Sequence, residues 1–161
     1  MAQEALQRIK MATSELASAQ HTLGSAYFKG EGVKPRLTTA IRWWRIAADA
    51  GNADAQYDMG ICYYNGTGVK RDTGKAAYWF RKGAEGGNTH AQFELAQSYD
   101  MGHGVPRSLN EAVRFYKRAA IGGHPVSQRI LGSLYGNGEG VPQSDSEAAK
   151  WFRRAGNKLD R

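Results

Sequence analysis

Ala55-Gln56-Tyr57-Asp58-Met59-Gly60-Ile61-Cys62-Tyr63-Tyr64-Asn65-Gly66-Thr67-Gly68-Val69 is the stretch whose reading decides the fold. Ala55, Met59, Cys62 and Tyr63 fall at i, i+4, i+7 and i+8, the stripe of an amphipathic helix, and Gly66 continues it. Gly66-Thr67-Gly68-Val69 ends that helix, because glycine past a helix C-terminus takes the left-handed conformation that other residues resist. A second helix then starts on Asp72, whose side chain can cap it. Ala76-Ala77, Trp79-Phe80 and Ala84 follow at helical spacing, and Gly86-Gly87-Asn88 closes the segment. The unit is a helix–turn–helix.

The same unit recurs along the chain in both directions. Ala19-Gln20, Ala55-Gln56, Ala91-Gln92 and Ser127-Gln128 are each 36 residues apart. Leu23, Met59, Leu95 and Leu131 align, followed by Gly24, Gly60, Ala96 and Gly132. Tyr27, Tyr63, Tyr99 and Tyr135 form an unbroken column. Gly30/Gly32, Gly66/Gly68, Gly102/Gly104 and Gly138/Gly140 give Gly-x-Gly each time, with Val33, Val69, Val105 and Val141 directly after. Trp43-Trp44, Trp79-Phe80, Phe115-Tyr116 and Trp151-Phe152 supply an aromatic pair to each unit, one turn after Ala40, Ala76, Ala112 and Ala148. Ser108 with Glu111 and Ser144 with Glu147 read as reciprocal capping boxes, whereas Arg36 in the same column offers no cap. One hairpin cannot bury such rings, but stacked neighbours can, so the sequence predicts an all-α linear array. The expected boundaries are 19–54, 55–90, 91–126 and 127–161. Residues 1–18 precede them as an N-terminal capping helix or half repeat, with Leu6, Ile9 and Ala12 or Thr13 on one face.

Composition sets outer bounds. The chain has 161 residues, 41% hydrophobic and 23% charged, so it should fold. No apolar run approaches the ~20 residues of a membrane span. The polar start from Met1 to Arg8 does not read as a signal peptide, which fits a cytoplasmic protein or a mature form whose export signal was trimmed. Cys62 is alone, so no intramolecular disulfide is possible.

The pattern Ala-Gln-x-x-Leu-Gly-x-x-Tyr-x-x-Gly-x-Gly-Val, then Ala-x-x-Trp-Phe-x-x-Ala-Ala-x-x-Gly, resembles the Sel1-like repeat, a relative of the tetratricopeptide repeat. The resemblance covers residues 19 to 158. It implies a right-handed α–α superhelix of four units, and a bacterial adaptor that binds another protein. Roles in that family include envelope, secretion and signalling scaffolds and immunity proteins that neutralise toxins. Its cysteine-rich branch staples each unit with a disulfide, which Cys62 alone cannot do.

In solenoids of this kind the first-helix positions left free of the consensus line the concave face. Here they are Thr22, Ser25 and Lys29; Asp58, Ile61 and Asn65; Glu94, Gln97 and Met101; Ile130, Ser133 and Asn137. They vary from unit to unit, as a specific surface requires. His21, Tyr57 and Phe93 in one column, and Phe28 and Tyr64 in another, read as core-edge packing. The second helices carry a basic ridge (Arg42 and Arg45; Arg81 and Lys82; Arg114, Lys117 and Arg118; Lys150, Arg153 and Arg154) that contributes to the net charge of +7. Such a ridge is the alternative reading, a surface for nucleic acid or anionic membrane. Interleaved Asp49, Glu85 and Glu111 and the even spread of charge favour a solvated face. No catalytic or metal-binding set emerges, and no cofactor is implied. His21, His90, His103 and His124 lack metal-ligand spacing, the Gly-x-Gly loops lack the third glycine of a dinucleotide fingerprint, and Cys62 has no histidine partner.

Overall fold

The computed structural model describes residues 2–156, which form eight α-helices and no strand. They are α1 (Ala2–Lys29), α2 (Leu37–Asp49), α3 (Ala53–Asn65), α4 (Thr73–Glu85), α5 (Thr89–Met101), α6 (Leu109–Ile121), α7 (Pro125–Asn137) and α8 (Asp145–Gly156). The expected residues 157–161 of the fourth unit lie outside the described residues. Contacts divide the chain into an N-terminal unit carrying α1–α4 and a C-terminal unit carrying α5–α8. Within each, two helical hairpins pack on one another: α1 with α2, α3 with α4 and α2 with α3; α5 with α6, α7 with α8 and α6 with α7.

The N-terminal unit is held by rings laid against glycine. A methyl added at Gly24 would meet Trp44 at 2.5 Å, and one added at Gly60 would overlap the ring of Phe80. Phe80 and Met59 are fully buried, and Trp44 and Tyr63 nearly so. Helix α2 and helix α3 are then pinned by a buried bond, Gln56 Nε2 donating to the Ala48 carbonyl at 3.0 Å. That glutamine recurs in the C-terminal unit, where Gln128 Nε2 donates to the Ala120 carbonyl at 3.0 Å. There Leu95, Phe115 and Leu131 are fully buried, and Phe152 covers Gly132, 2.8 Å from where a Cβ would sit.

The loops close by one repeated bond. The carbonyl of each column tyrosine accepts from the residue that caps the next helix: Arg36 to Tyr27, Asp72 to Tyr63, Ser108 to Tyr99 and Ser144 to Tyr135, all at 2.9 Å. This corrects the capping-box reading. Ser108 and Ser144 do accept from the N–H groups of Glu111 and Glu147 at 3.3 Å. The reciprocal arm is absent because the serine N–H groups are already engaged by tyrosine carbonyls. Glu111 pairs with Arg114 at 3.3 Å and Glu147 with Lys150 at 3.1 Å instead. Asp72 caps Lys75 N–H at 2.9 Å, and Arg36 makes no side-chain cap, both as expected.

Three further expectations change. The capping helix expected over residues 1–18 runs without a break into the first repeat as α1, because neither glycine nor proline interrupts residues 2–23. Leu23, placed in the core by its column, is 36% exposed, and Phe152 is 46% exposed. The later first helices begin at Ala53, Thr89 and Pro125, two residues ahead of the Ala-Gln or Ser-Gln pairs. At the starts of α3 and α7 the preceding residue caps the helix. Asn52 Oδ1 accepts from Ala55 N–H at 2.8 Å, and His124 Nδ1 from Ser127 N–H at 3.3 Å.

Candidate binding surface

In the N-terminal unit the expected surface residues come from α1 and α3. Thr22, Lys29 and Asn65 are exposed, and Ser25, Asp58 and Ile61 are half-buried. Local bonds restrain several. Thr22 Oγ1 donates to the Ser18 carbonyl at 3.0 Å, Trp44 Nε1 donates to Ser25 Oγ at 3.3 Å, and Lys29 lies 3.7 Å from Glu31. One contact ties the two helices together: Asp58 Oδ2 is 2.8 Å from His21 Nε2. The hydrogen bond to Asp58 raises the His21 pKa above its usual value, burial opposes it, and the charges of Asp58 and Asp54 add to it. Sequence reading placed His21 only at a core edge and missed the pair. The signal was available, since 21 and 58 are separated by one repeat plus one residue.

In the C-terminal unit Glu94, Gln97 and Met101 lie on α5, and Ile130, Ser133 and Asn137 on α7. Met101, Ser133 and Asn137 are exposed, the others half-buried. Burial pushes the Glu94 carboxyl up. Tyr116 has its ring 6.2 Å from that of Phe93. Its pKa is raised by burial first, then by Asp100 and Glu94. Phe93 also stacks on His124 at 4.5 Å, which places it at the core edge as expected. Tyr57 against Phe80 at 6.2 Å and Phe28 against Trp44 at 5.2 Å do the same in the N-terminal unit. Every expected surface residue is thus half-buried or exposed, within columns flanked by a fixed core.

The basic ridge has a packing role that the sequence did not reveal. Arg45 bonds the Tyr63 hydroxyl at 2.5 Å and lies 5.7 Å from its ring centroid, and Lys75 lies 5.5 Å from the same ring. At the equivalent place in the C-terminal unit Lys117 is 5.3 Å from the Tyr135 ring. Arg114 and Arg118 lie over Phe115 at 4.7 and 5.6 Å, and Arg154 over Trp151 at 4.9 Å. A cation within about 6 Å of a ring face is held there by its quadrupole. These side chains cover the rims of the core.

For chemistry the site offers little. The Cys62 thiol is buried, and burial with the charge of Asp58 lifts its pKa to about 11, so the nucleophilic thiolate is scarce at neutral pH. Among the described residues no three histidine, cysteine or acidic side chains gather as metal ligands, and no helix is long and apolar enough to cross a membrane.

The Sel1 repeat family matches residues 17–52, 53–88, 89–124 and 125–158. The chain belongs to the Sel1 repeat family. Its solved neighbours agree. A Sel1 repeat protein from Oxalobacter formigenes is 34% identical with a TM-score of 0.83, over 91% of this chain and 60% of that one. The protein c5321, a protective antigen present in uropathogenic Escherichia coli strains and displaying the same fold, is 35% identical with a TM-score of 0.81, over 89% of this chain and 31% of that one. The chain therefore spans under two thirds of either neighbour. The immunity protein Pa5087 from Pseudomonas aeruginosa shares the fold alone, at 23% identity and a TM-score of 0.57 over 86% of this chain and 51% of that one. No curated protein matches the chain. Sel1 repeat proteins generally mediate protein–protein interaction, and their fold is the all-α solenoid type.

Proposed function

We propose that this Sel1 repeat chain is a non-enzymatic binding module that recognises a partner protein or peptide through its first helices. Thr22, Ser25, Lys29, Asp58, Ile61 and Asn65 present the surface on the N-terminal unit. Glu94, Gln97, Met101, Ile130, Ser133 and Asn137 present it on the C-terminal one. The supporting observation is a contrast within single helices. In α3 and α5, Met59 and Leu95 are fully buried in a column that is leucine or methionine in every repeat, while Asn65 and Met101 are exposed in a column whose residue type varies. Side chains excused from packing are free to specify a ligand. A bacterial immunity protein that neutralises a toxin is the concrete form of this reading, supported as to fold by the Pseudomonas aeruginosa neighbour. The basic second-helix surface has less in its favour, since Arg45, Lys117, Arg118 and Arg154 lie over rings.

Affinity capture with mass spectrometry tests the proposal. Asn65→Arg combined with Met101→Arg is the informative variant, because both sites are exposed, whereas Asp58 is tied to His21 and Glu94 is partly buried. The expected result is a partner held by the parent chain and lost by the variant at unchanged helix content. Equal capture by both, or no partner, refutes the reading.

A further inference from the structure

Helix α1 has 28 residues and α3 has 13, a difference of about 22 Å at a rise of about 1.5 Å per residue. The extra length lies ahead of the first repeat. Every side chain from Gln3 to Leu16 is exposed, and Ala17 is the first buried residue of the helix. A helical segment without tertiary packing is marginal in water, so a surface that covers it stabilises it. This segment is not uniformly polar. Leu6, Ile9, Met11 and Leu16 are 52%, 62%, 57% and 59% exposed, large apolar side chains on one short stretch, of which Ile9 and Leu16 share a face.

The spacing states what kind of surface fits. With Ile9 at heptad position a, Leu16 is also at a, while Ala5 and Ala12 are at d. All four are exposed. An antiparallel copy of the same helix sets Ile9 over Ala12 of the second copy and Leu16 over Ala5 of the second copy, and the two-fold axis repeats both layers. Large side chains meet small ones in every layer, so the backbones approach closely and the apolar stripe is covered. In this register the flanking g positions face each other across the axis, which brings Arg8 beside Glu15 of the second copy, twice. A parallel pairing would instead set Arg8 against Thr13 and Glu15 against Gln20, with no charge complement. The isologous arrangement also closes on itself, as a two-fold dimer must.

We propose that the N-terminal half of α1 is a homodimerisation helix that pairs with a second copy of this chain in antiparallel register. This goes beyond partner binding and does not rest on it. Charge exchange in the full chain, read by sedimentation equilibrium, is the test. The parent chain should be a concentration-dependent dimer. Arg8→Glu alone and Glu15→Arg alone each replace attraction by repulsion at both symmetric contacts and should weaken the dimer by about 10-fold, while the double exchange restores it. Circular dichroism at saturating concentration should show the same helix content for all four proteins, with the two single exchanges melting slightly below the parent and the double exchange. A chain that stays monomeric well above the micromolar range overturns the proposal. So does a dimer indifferent to the single exchanges, or one not recovered in the double variant.

Discussion

The first and second hairpins of the N-terminal unit carry the same motif in different surroundings. Gly32 and Gly68 share a column and a left-handed backbone, with φ of 71° and 66°. A methyl built on Gly32 meets nothing within 4 Å, whereas one on Gly68 overlaps Ile41 and comes within 3.3 Å of Leu37, both on α2. Leu23 is 36% exposed, yet its equivalent Met59 is fully buried. Tyr27 is half-buried, yet Tyr63 is 9% exposed beneath Arg45. The motif therefore encodes two sets of contacts, one inside its own hairpin and one with the hairpin before it. The first hairpin uses only the former. The C-terminal unit repeats the lesson, since Gly140 packs against Leu109 and Val113 of α6, each about 3.0 Å from where its Cβ would be.

The largest difference should come from the leucine column. Met59→Ala should cost about 2–5 kcal/mol, the range for emptying a fully buried site, while Leu23→Ala costs less than half as much. Urea denaturation midpoints at constant m-value give both numbers, and equal costs would erase the contrast. Next comes the loop glycine. Gly32→Ala should cost only the left-handed backbone penalty of about 1–2 kcal/mol. Gly68→Ala adds overpacking of about 1–3 kcal/mol on top.

Capping gives a smaller and opposite-signed pair. Asp72→Ala should lose about 1 kcal/mol, whereas Arg36→Asp, which installs the missing cap on α2, should raise the thermal midpoint. The smallest effect is electrostatic and joins the two hairpins. His21 has a raised folded-state pKa, so the stability it lends through Asp58 is fully present below the unfolded value of 6.5. It fades as pH rises through the folded value. Asp58→Asn should flatten that part of the stability–pH curve, and an unchanged curve would assign the effect elsewhere.

Much of this was legible in the residues, for a definite reason. A period of 36 that keeps glycine, tyrosine and paired rings in step has one economical solution, helical hairpins that bury each other. What stayed hidden was non-local. The Ser108 and Ser144 boxes looked complete until tyrosine carbonyls took their N–H groups. Leu23 looked like Met59 because a column records residue type and not which neighbour is present. The rings beneath Arg45 and Lys117 belong to a different helix, Tyr63 and Tyr135, so their local sequence showed only charge. The surface assigned to Thr22 through Asn137 was legible only as what the core left over, which is why its ligand is not written in the motif.

The central claim is that the second loop of each unit packs on the hairpin before it, and a double-mutant cycle between Ile41 and Gly68 addresses that contact directly. Ile41→Val removes the Cδ1 atom that a methyl at position 68 would strike. The account predicts that Gly68→Ala is less costly in the Ile41→Val background, with a coupling above about 0.5 kcal/mol in denaturant unfolding. Costs that simply add would contradict it.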